Sequence, residues 1–225
     1  MKRRVKMFID IEATATFNND FKKLISKTIY EPIILKLMNS STKLFPNEYE
    51  YIENQSNGEC DFRDKVTSQK FDAKLILTEK DGKSIGSDNH NYLKWLQSIF
   101  KINNEYKGYF ECSENFDVAT SSLYKTMSRL LKKVKPDENV IFFIPYPIVL
   151  DEEGMVYLQF GDDILSIVFD TLRKNDLINK RMIYVIYPNF QNKIVLRCLN
   201  TYVREYLEYD ELQKYIKYDI KSINY

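Results

Sequence analysis

The chain has 225 residues, 44% hydrophobic and 14% aromatic, a composition that excludes a disordered segment and is enough for one sizeable core. Lys and Arg number 33 against 32 Asp and Glu, so a net charge of +1 excludes a broad basic field and any contact with nucleic acid must be made in a local cleft. One histidine (His90, in the polar stretch Ser87–Asn91) and three scattered cysteines, Cys60, Cys112 and Cys198, exclude a histidine-built zinc site and a disulfide framework, and fit a reducing cytoplasm.

In chain order, Met1–Lys6 is basic, with too few apolar residues before Asp10 for a signal peptide. Asn18-Asn-Asp20 predicts the cap of a helix beginning at Phe21, with Phe21, Leu24, Ile25, Thr28 and Ile29 along one stripe. Pro32 then predicts a kink or a second short helix, continued by Ile33–Met38. Residues 40–58 read as loop with one short strand near Tyr49–Ile52. Residues 59–78 read as two strands joined by the polar turn Lys65–Lys70. Tyr92–Phe100 has helical character around Trp95, and Asn103–Ser113 fits either period.

Ser121–Val134 predicts a helix with Leu123, Met127, Leu130, Leu131 and Val134 inward. Its other face carries Lys125, Arg129, Lys132 and Lys133, which reads as a solvated face or as a stripe that meets a phosphate backbone. Val140–Leu150 is a buried strand, too short and too broken by proline to span a bilayer. Gly161-Asp-Asp163 opens a helix to about Arg173, with Asp162 as N-cap and Ile164, Leu165, Val168, Phe169 and Leu172 inward. Arg181–Tyr187 and Lys193–Leu199 read as strands around an Asn-containing turn. Tyr202, Tyr206, Tyr209, Leu212 and Ile216 recur at helical spacing and predict a last helix over 202–217. The order predicts a single α/β domain over residues 1–225, with a central mixed sheet flanked by helices and its core at about 18–200.

The chemistry concentrates in Glu59-Cys-Asp-Phe-Arg-Asp64 and Phe71-Asp-Ala-Lys74. Side chains two apart on a strand share a face, so Asp72 and Lys74 point one way while Phe71, Ala73, Leu75 and Leu77 point the other. Pairing the strands brings Asp61 beside Asp72. Two carboxylates edged by a lysine suit a hard divalent cation and an activated water. The bland reading is the solvent face of an ordinary hairpin.

An Asp on one strand of a hairpin followed by Asp-x-Lys on the next resembles the PD-(D/E)xK superfamily, which includes many type II restriction enzymes. The resemblance covers Asp61–Lys74, with Cys60 where the family often has proline. It implies a restriction-endonuclease-like core and a Mg²⁺-dependent DNA endonuclease, with Mn²⁺ able to substitute, of the kind used in restriction or phage defence. It further implies that Asp61, Asp72 and the carbonyl of Ala73 hold the metal and that Lys74 orients the attacking water. Glu31, on the helix before the hairpin, becomes the candidate for a further metal-proximal carboxylate, with Glu12 and Glu53 as rivals. Lys125, Arg129 and Lys132 become candidates for contact with DNA. Family members that cut both strands are often homodimers.

Two other readings stand beside this one. Met7-Phe-Ile-Asp-Ile-Glu-Ala-Thr14 resembles the first motif of DEDD-type exonucleases, with Asn115-Phe-Asp117 and Tyr206–Asp210 as the later motifs. The segment after Glu12 runs almost at once into the capped helix, which leaves no room for that family's next strands. The second reading is a non-catalytic protein- or nucleic-acid-binding module, with Tyr146, Tyr157 and Tyr184 in its core or interface.

Overall fold

The computed structural model describes residues 9–17, 26–52, 60–76, 105–112, 116–145, 148–150, 156–158, 162–178, 180–188, 193–208, 212 and 216–224. Its elements begin with β1 (Ile9–Phe17), α1 (Lys27–Ser40), β2 (Tyr49–Tyr51), β3 (Phe62–Asp64), β4 (Lys70–Leu75) and β5 (Glu105–Cys112). There follow α2 (Phe116–Leu131), β6 (Asn139–Phe143), β7 (Ile148–Leu150), β8 (Val156–Leu158) and α3 (Asp162–Lys174). The chain closes with β9 (Ile183–Pro188), β10 (Lys193–Cys198), β11 (Arg204–Glu208) and β12 (Ile216–Asn224).

A seven-stranded mixed sheet, ordered β11-β10-β9-β6-β4-β3-β2, makes this an α/β protein. Its centre is parallel, with Phe71 to Leu75 of β4 against Asn139 to Phe143 of β6, and β6 against β9. Parallel neighbours need crossover connections, and α2 and α3 supply them. Every residue of β6 and β9 is buried, as expected of strands covered on both faces. The alternation of β6 divides the core. Ile141 and Phe143 pack with Tyr30, Ile33, Ile34, Leu37 and Met38 of α1, and Tyr184 of β9 lies buried in the same cluster. Val140, Phe142 and Ile144 pack with Leu123, Met127 and Leu131 of α2 and with Leu165, Val168, Phe169 and Leu172 of α3. The inward stripes of α2 and α3 therefore match their sequence periodicity.

Several expectations need correction. Pro32 neither splits nor ends its helix. It sits exposed in the second turn of α1, which runs from Lys27, after an extended Ser26, to Ser40. Phe21, Leu24 and Ile25 lie outside the described residues, as do Trp95, His90 and the turn between β9 and β10. The apolar run at 140–150 is two strands. Pro145 follows β6 and cannot donate to the ladder, so β6 stays in the large sheet while β7 pairs antiparallel with β8. The segment after Glu12 continues β1 to Phe17, and β1 lies between β5 and β12 in a three-stranded antiparallel sheet.

The last helix is not a helix. Residues 204–208 form β11, paired antiparallel with β10 from Lys193↔Glu208 to Arg197↔Arg204, and residues 216–224 form β12 against β1. Tyr206, expected inward, is exposed, while Glu205 is buried. The edge of β10 offers an unmatched row of backbone groups, and pairing with it outweighs a local tyrosine spacing that strands accept equally well. Glu205 then reaches the end of α1, accepting hydrogen bonds from Ser41 Oγ (2.6 Å) and the amides of Thr42 (3.1 Å) and Lys43 (3.3 Å). Among the described residues no helix is long and apolar enough to cross a membrane.

Candidate active site

The hairpin forms as its sequence dictates. Asp64 closes the turn, accepting hydrogen bonds from the amides of Val66 (2.8 Å) and Thr67 (3.0 Å) and from Asn47 Nδ2 (2.8 Å). Burial alone would raise the Asp64 carboxyl, but these donors outweigh it and hold its pKa below the usual value. The ladder between β3 and β4 pairs Phe62 with Phe71 and Arg63 with Lys70. Phe71 and Ala73 lie in the α1-side cluster, while Ile76, on the alternation of Asp72 and Lys74, lies in the α2–α3 cluster.

Asp61 stands just before β3, where the ladder runs out. Its amide donates to the Phe71 carbonyl (3.0 Å), and its Oδ2 accepts the Ala73 N–H (2.7 Å). A side chain thus takes over a hydrogen bond that a longer β3 would have made, and this fixes Asp61 beside the Asp72–Lys74 segment. Lys74 Nζ lies 2.5 Å from Asp72 Oδ1.

The helix α1 completes the group. Asn39 holds α1 against β2 through both edges of its amide, donating to the Tyr49 carbonyl (3.1 Å) and accepting from the Tyr49 N–H (2.8 Å). Glu31 lies next to the apolar stripe of α1 and is 1% exposed. The Tyr51 hydroxyl, from β2, donates to Glu31 Oε2. Lys27, one turn earlier on α1, places Nζ 3.1 Å from Glu31 Oε1 and 3.6 Å from Asp61 Oδ1. The structure therefore places Asp61, Asp72 and Lys74 of the hairpin in the neighbourhood of Glu31 from α1.

Three carboxylates face two ammonium groups, and the imbalance is visible in their acidities. Burial pushes Asp72 up to about 6; Lys74 opposes the shift, and the neighbouring Asp61 reinforces it by charge and by accepting a hydrogen bond from the protonated form. Burial and then the Asp61 charge raise Glu31 as well, with Lys27 and Lys74 opposing. Glu31 Oε1 is buried without a hydrogen-bond partner, its nearest cation being Lys27.

An excess of buried carboxylate oxygen, one of it without a hydrogen bond, fits the donor chemistry of a hard divalent cation. Among the described residues, no three His, Cys, Asp or Glu side chains form a ready-made metal cage. In this arrangement the lysine ammonium groups stand at the carboxylates.

The remaining candidates lie elsewhere. Lys125 and Lys132 are exposed and Arg129 is half-buried on or just after α2, which packs on the sheet face toward which Asp72 and Lys74 alternate. Glu12 and Asp10 lie on β1, Asp117 lies on α2, Asp162 opens α3, and Glu53, Asn115 and Asp210 fall outside the described residues. Sequence reasoning missed Lys27 and Tyr51. The four-residue spacing of Lys27 and Glu31 carried a signal for the first, whereas nothing local marks Tyr51. Comparison of the chain with protein-family models, curated proteins and solved structures gives no match.

Proposed function

We propose that the chain is a metal-dependent phosphodiester hydrolase, a DNA endonuclease on a restriction-endonuclease-like core. The observation that carries this reading is the meeting of Asp61, Asp72 and Lys74 from the hairpin with a buried Glu31 from α1. Asp61, Asp72 and the Ala73 carbonyl are the groups that would hold Mg²⁺ or Mn²⁺, with Glu31 beside them. When bound, such a cation supplies Lewis-acid stabilisation of the phosphate and a water of lowered pKa.

The chain's own residues do the rest. Lys74, a half-buried ammonium steered by Asp72, orients the attacking water and offsets the charge that grows on the phosphate. Glu31, Asp61 and Asp72 are all buried, and the low local dielectric of a buried site strengthens each charge interaction. Lys125 and Arg129 on α2 and Lys132 just after it are the groups proposed to meet the DNA backbone.

The test is cleavage of plasmid and single-stranded DNA in Mg²⁺ or Mn²⁺ by wild type, Asp72→Ala and Lys74→Ala. Wild type should cut. Asp72→Ala should lose metal binding and cutting together, while Lys74→Ala should keep the metal and lose roughly 10²-fold or more in rate. Equal cutting by all three would remove the site from the hairpin. Absence of both cutting and Mn²⁺ binding in wild type would favour a non-catalytic module, in which the lysine–carboxylate pairs are structural.

A further inference from the structure

Lys27 lies outside the hairpin motif, yet it contacts two of the three buried carboxylates. Its Nζ sits 3.1 Å from Glu31 Oε1 and 3.6 Å from Asp61 Oδ1. Those two side chains are each 2% exposed, whereas the Lys27 side chain is 59% exposed. The two partners are also fixed by other bonds. Glu31 is held by the Tyr51 hydroxyl, and Asp61 by the Ala73 amide at 2.7 Å. Among the described residues Lys27 is tied down only by the carboxylates it neutralises, on a flexible four-carbon stem in the first turn of α1.

Buried carboxylates need a positive partner. The Glu31 oxygen that Lys27 faces, 3.1 Å away, is buried, and the ammonium is the cation that balances it. A divalent cation meets the same need with twice the charge and with direct coordination. Both cannot stand between Glu31 and Asp61, because a metal–oxygen distance of roughly 2–2.5 Å leaves no space for an ammonium at the same oxygens. The contrast with Lys74 is one of freedom, since the Lys74 side chain is 21% exposed and anchored on a central strand.

We propose that Lys27 is a built-in counter-ion of the Glu31–Asp61 pair, holding the two carboxylates in place until a divalent cation displaces its ammonium toward solvent. This inference rests on the metal-site reading above. Lys27 is thereby a positioning residue that sets how tightly the site takes a metal. Its removal should strengthen cation binding, the opposite of what loss of a structural brace would do.

The experiment is calorimetric titration of Mn²⁺ alone into wild type, Lys27→Met and Lys27→Arg, each checked for an unchanged circular dichroism spectrum and a cooperative melt. Lys27→Met should bind Mn²⁺ roughly tenfold more tightly than wild type, since one competing unit charge within 4 Å is gone. Lys27→Arg, which keeps the charge, should stay near wild type. Binding by Lys27→Met with none by wild type would support the displacement in its strongest form. Equal or weaker binding by Lys27→Met, with clear binding by wild type, would overturn the role of Lys27 and leave the metal site standing. Failure of all three to bind would overturn the metal site, and the counter-ion role with it.

Discussion

Replacing Asp72 by Asn should make the cation-free protein more stable while abolishing its proposed activity. The side chain is buried beside Asp61, and its pKa is pushed up to about 6 from an ordinary carboxylate value near 3.8. Folded Asp72 therefore binds a proton more tightly than unfolded Asp72. Below about pH 4 both states are protonated and ionisation costs nothing. As the pH rises through 6 the folded state must ionise a buried carboxyl, and stability is lost across that window. A carboxyl moved from 3.8 to about 6 corresponds to roughly 3 kcal/mol. Asn mimics the protonated form, donating toward Asp61 and presenting an oxygen to Lys74 without the charge. Urea unfolding of both proteins without divalent cations, at half-unit steps from pH 4 to 8, should show a difference near zero at pH 4. It should grow to about 3 kcal/mol in favour of Asp72→Asn above pH 7, or roughly 6–12 °C in midpoint temperature. A constant difference across pH, or a variant less stable than wild type above pH 7, would refute the strained-carboxylate argument.

Two further outcomes follow from the same geometry. Asp61→Ala leaves the Ala73 N–H, now capped at 2.7 Å, without its partner and should cost about 1–3 kcal/mol by denaturation, whereas Asp61→Asn keeps an acceptor oxygen and should cost less. Glu205→Ala strips hydrogen bonds from Ser41, Thr42 and Lys43 and should cost about 3 kcal/mol at pH 7. Burial works to raise the Glu205 pKa, but these donors outweigh it and lower it. The Glu205 contribution is therefore present above its unfolded pKa near 4.5 and should fade as the pH falls below that value, which the same unfolding series on Glu205→Ala would reveal.

Much of this protein could be read from local pattern. The helical stripes Leu123–Met127–Leu131 and Leu165–Val168–Leu172 each mark the one face that meets the sheet, and the structure buries those residues. The alternation Phe71–Asp72–Ala73–Lys74 carries its own instruction about which residues share a face, and the turn at 65–70 supplies the hairpin that joins Asp61 to it. Such features need only a period and a turn, both of which lie within a dozen residues.

What required the tertiary structure was choice among partners distant in the chain. Residues 202–217 keep a helical spacing of tyrosines, yet Val195↔Tyr206 and Leu196↔Glu205 pairing gives that backbone a strand to join, and the spacing loses. Pro32 suggested a break, but Asn39 on Tyr49 and the burial of Ile33, Ile34 and Leu37 hold α1 as one element with the proline ring in solvent. The site shows the same division. The sequence determined its hairpin half, because Asp61, Asp72 and Lys74 follow from strand pairing over a short loop. The packing of α1 decided that Glu31 turns into this cluster, that Tyr51 holds it and that Lys27 balances it. The Tyr51–Glu31 and Lys27–Asp61 contacts span 20 and 34 residues of chain, and their cause is the burial of an apolar helix face, which no local motif encodes; only the one-turn spacing of Lys27 and Glu31 was legible locally.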